Sequence, residues 1–207
     1  MSGRGIYVET TICADVDAVW RATQDPRAHV RWDVRFTRIM PVDKTQDGAT
    51  RFTYERRVPG HVVRGTGVSI GEHDRPDGTR TSALRFHTRD RMSPIRSGRG
   101  YWRYVPVESG TRFITGYDYD AGWGMLDVVV RPLLGWATAW SFDRLRLWIE
   151  SDDPPERWPL WSVAWWWRPD RPRATRCRRR PAYGKRTELV RSAPATLAAL
   201  PDPASPS

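Results

Sequence analysis

"DAVWRATQDPRAHVRWD", residues 17–33, decides how the rest of the chain is read. Asp15, just upstream, is a good helix N-cap and starts a first helix that runs to about Thr23. Pro26 stops it and opens a second short helix to about Asp33, because proline is tolerated in a first turn, where its missing N–H is no loss. Each short helix carries one tryptophan, Trp20 and Trp32. Burying a ring of that size removes about 150–250 Å² from water, so two of them call for a large apolar surface nearby.

That surface is legible on both sides. Upstream, "IYVETTI" (6–12) alternates Ile6, Val8, Thr10 and Ile12 against Tyr7, Glu9 and Thr11, the period of a strand. Downstream, strands are expected over 37–43, 50–58, 62–72, 79–88, 97–106 and 111–119. They are separated by "TQDG", "PGH", "RPDG", "RMSP" and "VESG", short turn chemistries that imply an antiparallel meander. The strand glycines of "GTGVSIG" and "GRGYW" read as bulges or sheet bends. After "AGWG" the period changes, and residues 125–150 read as one long helix, with Pro132 marking a kink or the true start. On it, Leu133, Leu134, Trp136, Ala137, Trp140, Leu145, Leu147 and Trp148 share a broad apolar face, opposite Gly135, Ala139, Asp143, Arg146 and Glu150.

Composition bounds the function classes. The chain has 207 residues and a net charge of +10, but residues 1–150 hold 23 basic against 18 acidic side chains and residues 151–207 hold 11 against 6. Half of the excess sits in the C-terminal quarter, which argues against nucleic-acid binding by the domain itself. Cys13 and Cys177 match no metal or redox spacing, and His29, His61, His73 and His87 form no ligand pattern with Cys, Asp or Glu. No nucleophile elbow or phosphate-cradling loop occurs, so neither a cofactor nor a metal is expected. With no apolar run of about 18–20 residues and no signal segment, a soluble cytoplasmic protein is the expectation.

The order of strand, two short helices, six antiparallel strands and a long helix resembles the START-like, or SRPBCC, superfamily. The resemblance rests on "ICADVDAVWRATQDPRAHVRWD" (12–33) and on "YDYDAGWG" (117–124) before the long helix, and covers roughly residues 6–150. It implies an α+β helix-grip fold: a seven-stranded curved antiparallel sheet wrapped around a long C-terminal helix. Val19, Trp20 and Trp32 would then plug the gap between sheet and helix. The family includes polyketide cyclases and aromatases, lipid-transfer domains and plant pathogenesis-related allergens. Binding or transport of a small hydrophobic, aromatic or lipid-like ligand is therefore expected, with a polyketide cyclase or aromatase as the alternative.

Strand phase names the side chains that line the space under the helix: Phe52 and Tyr54, Phe86, Trp102 and Tyr104, and Tyr117 and Tyr119, with Trp136 and Trp140 from the helix. A packed core of these same residues is the alternative to a cavity. If "PGH" closes a three-residue hairpin, Arg56 faces Arg64 on the inner phase, and a bound anion would relieve the like-charge pair. A one-residue slip instead puts one or both in solvent. Arg144 falls within the apolar helix face and needs a core carboxylate, a stacked tryptophan or the ligand as partner.

Beyond Ser151 the chain turns rich in Trp, Arg and Pro, and residues 151–207 are expected to be a largely disordered tail outside the 1–150 domain. Its "RWPLWSVAWWWRPDRPRATRCRRR" fits peripheral membrane contact, nucleic-acid contact, or folding back onto the domain.

Overall fold

In a computed structural model, residues 5–72, 75–181 and 193–204 are described. His73, expected at a strand end, lies outside them. The elements are β1 (Ile6–Ile12), α1 (Val16–Gln24), α2 (Pro26–Trp32), β2 (Arg38–Lys44), β3 (Thr50–Val58), β4 (His61–Glu72), β5 (Arg80–His87), β6 (Ile95–Val107), β7 (Gly110–Ala121), α3 (Asp127–Ser151) and α4 (Thr196–Ala199). The strands form one antiparallel sheet in the order β1-β7-β6-β5-β4-β3-β2. Every step from β2 to β7 joins sequence neighbours, as the short turns dictate; only β1 travels, crossing to pair with β7. The sheet curves around α3, and the two short helices follow β1, which is the helix-grip arrangement.

Local chemistry sets the helix starts. The Asp15 carboxylate accepts from Ala18 N at 2.7 Å and caps α1. Asp25 serves both short helices: its N–H bonds the Arg21 carbonyl at the end of α1, and its carboxylate accepts from Arg27 N at the start of α2. The long helix begins at Asp127 after a single 3-10 turn and runs through Pro132, so the proline is not its start.

Trp32, Trp102, Tyr104, Phe113 and Phe142 form the centre of the core, all buried. Phe113 stacks on Phe142 of α3 at 4.5 Å and on Tyr104 at 5.0 Å, while Trp32 meets Phe142 edge-on at 6.0 Å. Trp20 lies half-buried against Tyr104, with ring centroids 4.9 Å apart. The tryptophans of residues 17–33 thus close one end of the space between sheet and helix.

The helix differs from its sequence reading in which sides are covered. Ala139 and Asp143, assigned to the outer side, are fully buried, whereas Leu133, assigned to the inner side, is exposed. The cause is the tail. Residues 151–181 pack back along α3. Asp143 accepts from Arg173 N at 2.7 Å, Arg176 at 3.1 Å and Arg146 at 2.8 Å. Cys177 Sγ reaches the Ala139 carbonyl, and Arg178 exchanges two 2.9 Å backbone hydrogen bonds with Glu9, covering the free edge of β1. Arg144 donates to the carbonyls of Trp32 (3.0 Å) and Pro155 (2.5 Å), with its guanidinium 5.1 Å from the centre of the Trp140 ring. Farther on, Leu197 and Leu200 pack on Ala49, Val68 and Ala83 on the outer face of the sheet.

Removing residues after Asp153 strips the buried Asp143 of two partners and Arg144 of one. Asp143 keeps Arg146 and Arg144 keeps the Trp32 carbonyl, so what is lost is hydrogen bonds to charged groups, each worth about 1.5–3 kcal/mol. The truncated chain is expected to lose stability on that order in urea unfolding; equal midpoints for the two chains would show the tail to be energetically idle.

Candidate functional site

One cross-strand row organises the inner face of the sheet. Phe52, Gly67, Phe86, Gly98 and Tyr119 are successive direct partners across β3, β4, β5, β6 and β7. Direct partners point to the same side of a sheet, and Tyr119 fixes that side, because its hydroxyl donates to Asp127 in the first turn of α3 at 2.5 Å. The row alternates aromatic and glycine for a steric reason. A Cβ added to Gly67 would sit 2.3 Å from the Phe52 ring, and one added to Gly98 would sit 2.2 Å from the Phe86 ring. Tyr54 lies in the same way over Gly65, also at 2.3 Å. The rings lie flat across the neighbouring strand instead of standing up towards the helix. These glycines sit in unbroken register, so they are seats for rings and not bulges.

The inner face therefore has two ends. At one, Trp102 and Tyr104 belong to the packed core; Tyr104 Oη lies 2.7 Å from Thr23 Oγ1 and accepts from Gln24 Nε2 at 2.9 Å. At the other, Phe52, Leu84 and Phe86 remain half-buried over the flat floor, flanked by buried Tyr54 and Tyr119. Tyr117 lies between, its hydroxyl 2.9 Å from Thr138 Oγ1 of α3. Trp136 and Trp140 stack on each other along the helix, and Trp140 is buried beside Arg144, which is committed to backbone carbonyls.

Under the two ends lies a charged centre. The Arg35 guanidinium donates three hydrogen bonds to the Asp33 carboxylate, of 2.9, 3.2 and 2.7 Å, and His29 Nε2 lies 3.1 Å from the same group. The Arg35 guanidinium sits 5.6 Å from the centre of the Tyr117 ring. Asp33 is 0% exposed. Burial by itself would raise its pKa, but Arg35 and the His29 hydrogen bond hold the carboxyl well below the usual range. Burial pushes the Tyr54, Tyr104 and Tyr119 phenols above their ordinary value.

The hairpin register separates the two candidate arginines. Val58 pairs with His61, so Pro59-Gly60 is a two-residue turn, and Gly60 supplies the positive φ of +75° it needs. Arg56 then pairs with Val63, and Arg64 pairs with Glu55. The expected Arg56–Arg64 opposition does not occur. Arg64 points outward, is 72% exposed and bonds Glu55 at 3.1 Å. Arg56 stays on the inner phase, half-buried, with no hydrogen bond or ion pair among the described residues. Desolvation lowers its pKa, partly offset by Asp33 acting through space. In sequence Asp33 closes the second short helix; the Asp33–Arg35 pair, at the centre of the candidate site, shows there only as two charges flanking one residue beside Trp32.

Residues 5–150 match the family described as polyketide cyclase / dehydrase and lipid transport. A curated relative, the uncharacterized membrane protein YndG of Bacillus subtilis, is 42% identical over 164 residues. The match covers 76% of this chain and 61% of that protein, so the chain spans about three-fifths of the relative's length. Among solved structures, a STAR-related lipid transfer protein from Xanthomonas axonopodis aligns with TM-score 0.52 at 18% identity, covering 72% of this chain and 86% of that one. The Zhui aromatase/cyclase from Streptomyces sp. R1128 aligns with TM-score 0.51 at 16% identity, covering 73% and 98%. At such identities the structures speak for the fold alone: residues 5–150 are a START-like helix-grip domain. Among the described residues no helix is long and apolar enough to cross a membrane.

Asp33→Asn is expected to cost about 3–5 kcal/mol at neutral pH, because it leaves the half-buried Arg35 without its counter-charge. A carboxyl whose folded pKa is depressed stabilises above its unfolded pKa of about 3.9 and loses that contribution as pH falls towards the folded value. The gap between wild type and variant should therefore narrow in urea titrations below about pH 4. A gap independent of pH would show that the ion pair is not its source.

Proposed function

We propose that this chain, which belongs to the polyketide cyclase/dehydrase and lipid transport family, holds a small amphipathic ligand whose apolar body lies on the Phe52–Phe86–Tyr119 floor and whose anionic head meets Arg56. The observation that carries this reading is the half-buried Arg56, without a hydrogen-bond or ion-pair partner among the described residues, beside a flat apolar floor. A guanidinium taken partly out of water without a carboxylate is satisfied by a ligand oxygen. The floor suits a flat aromatic ring or an extended acyl chain, since neither needs a ridge to grip. Ligand sites of this kind are mostly apolar with a few placed polar groups.

Fluorescence displacement with palmitate and with hexadecanol tests the reading. Arg56→Ala is expected to weaken palmitate roughly tenfold or more, the worth of a charge-assisted hydrogen bond, and to leave hexadecanol nearly unchanged. Equal affinity of wild type and variant for palmitate would remove Arg56 from the site. Loss of both ligands in Phe52→Asp, with Arg56→Ala neutral, would keep the floor and discard the anionic head.

A further inference from the structure

The end of the sheet where α3 begins is unlike the rest of the surface. β3 ends there at Val58, β4 begins at His61, β5 ends at His87, β6 begins at Ile95 and β7 ends at Ala121. Contacts tie these ends into one rim: His61 lies 2.8 Å from the Asp90 carboxylate, Gly122 N donates to the Pro94 carbonyl, and Trp123 Nε1 donates to the Arg91 carbonyl at 3.3 Å. On this rim Met92, Trp123, Met125, Leu126, Val128 and Val129 are all exposed, Met125 to 93% and Val128 to 77%. Leu133, a turn further along α3, continues the patch. Isolated apolar side chains on a surface are ordinary, but a contiguous group that includes a tryptophan marks a contact surface.

Charge on the rim says what the contact is. Arg57, Arg89, Arg91 and Arg96 are exposed, and none has an ion-pair partner among the described residues. The nearby carboxylates are engaged: Asp90 with His61, Asp118 and Asp127 with Arg131, and Asp120 with the Ser97 hydroxyl. An apolar tip ringed by exposed guanidinium groups complements an interface that is hydrocarbon below and negative at its surface.

We propose that this rim docks the protein on an anionic lipid surface, with Met125, Leu126 and Val128 entering the apolar layer and Arg57, Arg89, Arg91 and Arg96 meeting headgroup phosphates. The start of α3 also roofs Tyr119 at the end of the aromatic floor, so the docked face is the one that adjoins the candidate site. Docking does not depend on what the site holds and is read without any ligand. It is also distinct from the exposed Trp161, Trp166 and Trp167, which belong to the tail beyond the other end of α3.

The test is co-sedimentation of the full chain with vesicles of phosphatidylcholine alone and of equimolar phosphatidylglycerol and phosphatidylcholine. The wild type is expected to pellet with the anionic vesicles at low salt and to be released at high salt. Met125→Asp/Val128→Asp, at positions too exposed to disturb the core, should reduce partitioning at least about tenfold. Arg89→Glu/Arg91→Glu should reduce it by at least as much on anionic vesicles, at roughly fivefold per basic residue. Trp166→Ser/Trp167→Ser should bind like wild type. The proposal is overturned if the wild type stays in the supernatant with both vesicle types. It is overturned equally if the tail variant loses binding while the rim variants keep it. A stable dimer in sedimentation equilibrium that Met125→Asp/Val128→Asp splits would assign the patch to a second copy instead.

Discussion

Two neighbouring charges on α3, Asp143 and Arg144, govern the architecture around them. They point to different sides of a helix whose turns there are enclosed all round, and each must be matched because an unpaired buried charge is prohibitive. Arg144 draws in the end of α2 and the first turn after the helix through the carbonyls of Trp32 and Pro155. Asp143 draws in the backbone of Arg173 and the side chain of Arg176. Together they clamp the C-terminal half of the helix between the core and the tail.

The N-terminal half of the same helix has no such clamp. It is held to the sheet through Tyr119, Asp118 and Arg131, while Val128, Val129 and Leu133 stay in solvent. One helix thus divides the molecule into a filled end, where Trp32, Trp102, Tyr104, Phe113 and Phe142 interlock, and an end where the aromatic floor stays half-open. The charged centre of Asp33, Arg35 and His29 stands beneath both. It places a strong, desolvated field beside Arg56 without neutralising it by contact. The fold itself is shared by lipid-transfer and aromatase structures, and a fold does not by itself fix a function.

The alternation of Phe52, Gly67, Phe86, Gly98 and Tyr119 shows how far sequence reasoning reaches. Strand phase assigned every one of the aromatics to the inner face, because side-chain direction follows from a period of two. The partners of the glycines were out of reach, since they belong to adjacent strands and depend on register. A glycine inside a strand reads as a weakness until the ring that occupies its empty side is known. Arg56 and Arg64 make the same point. Treating "PGH" as a three-residue loop brought them together; the two-residue turn at Pro59-Gly60 sends one inward and the other to Glu55.

What the amino-acid order determined by itself was local: the strand phases, the cap at Asp15, the break at Pro26, the positions of the turns though not every turn length, and the long apolar helix. Those features follow from dihedral preferences and side-chain period, which act over a few residues, and their order was enough to indicate a helix-grip domain. The tertiary structure alone decided which faces are covered. Ala139 and Asp143 are buried because a distant tail lies on them, Asp33 and Arg35 become a core pair because Trp32 pulls them in, and Met125 and Val128 are left bare because no described segment lies over that end of the helix. Burial depends on contacts between residues far apart in the chain, and no periodicity within one segment encodes them.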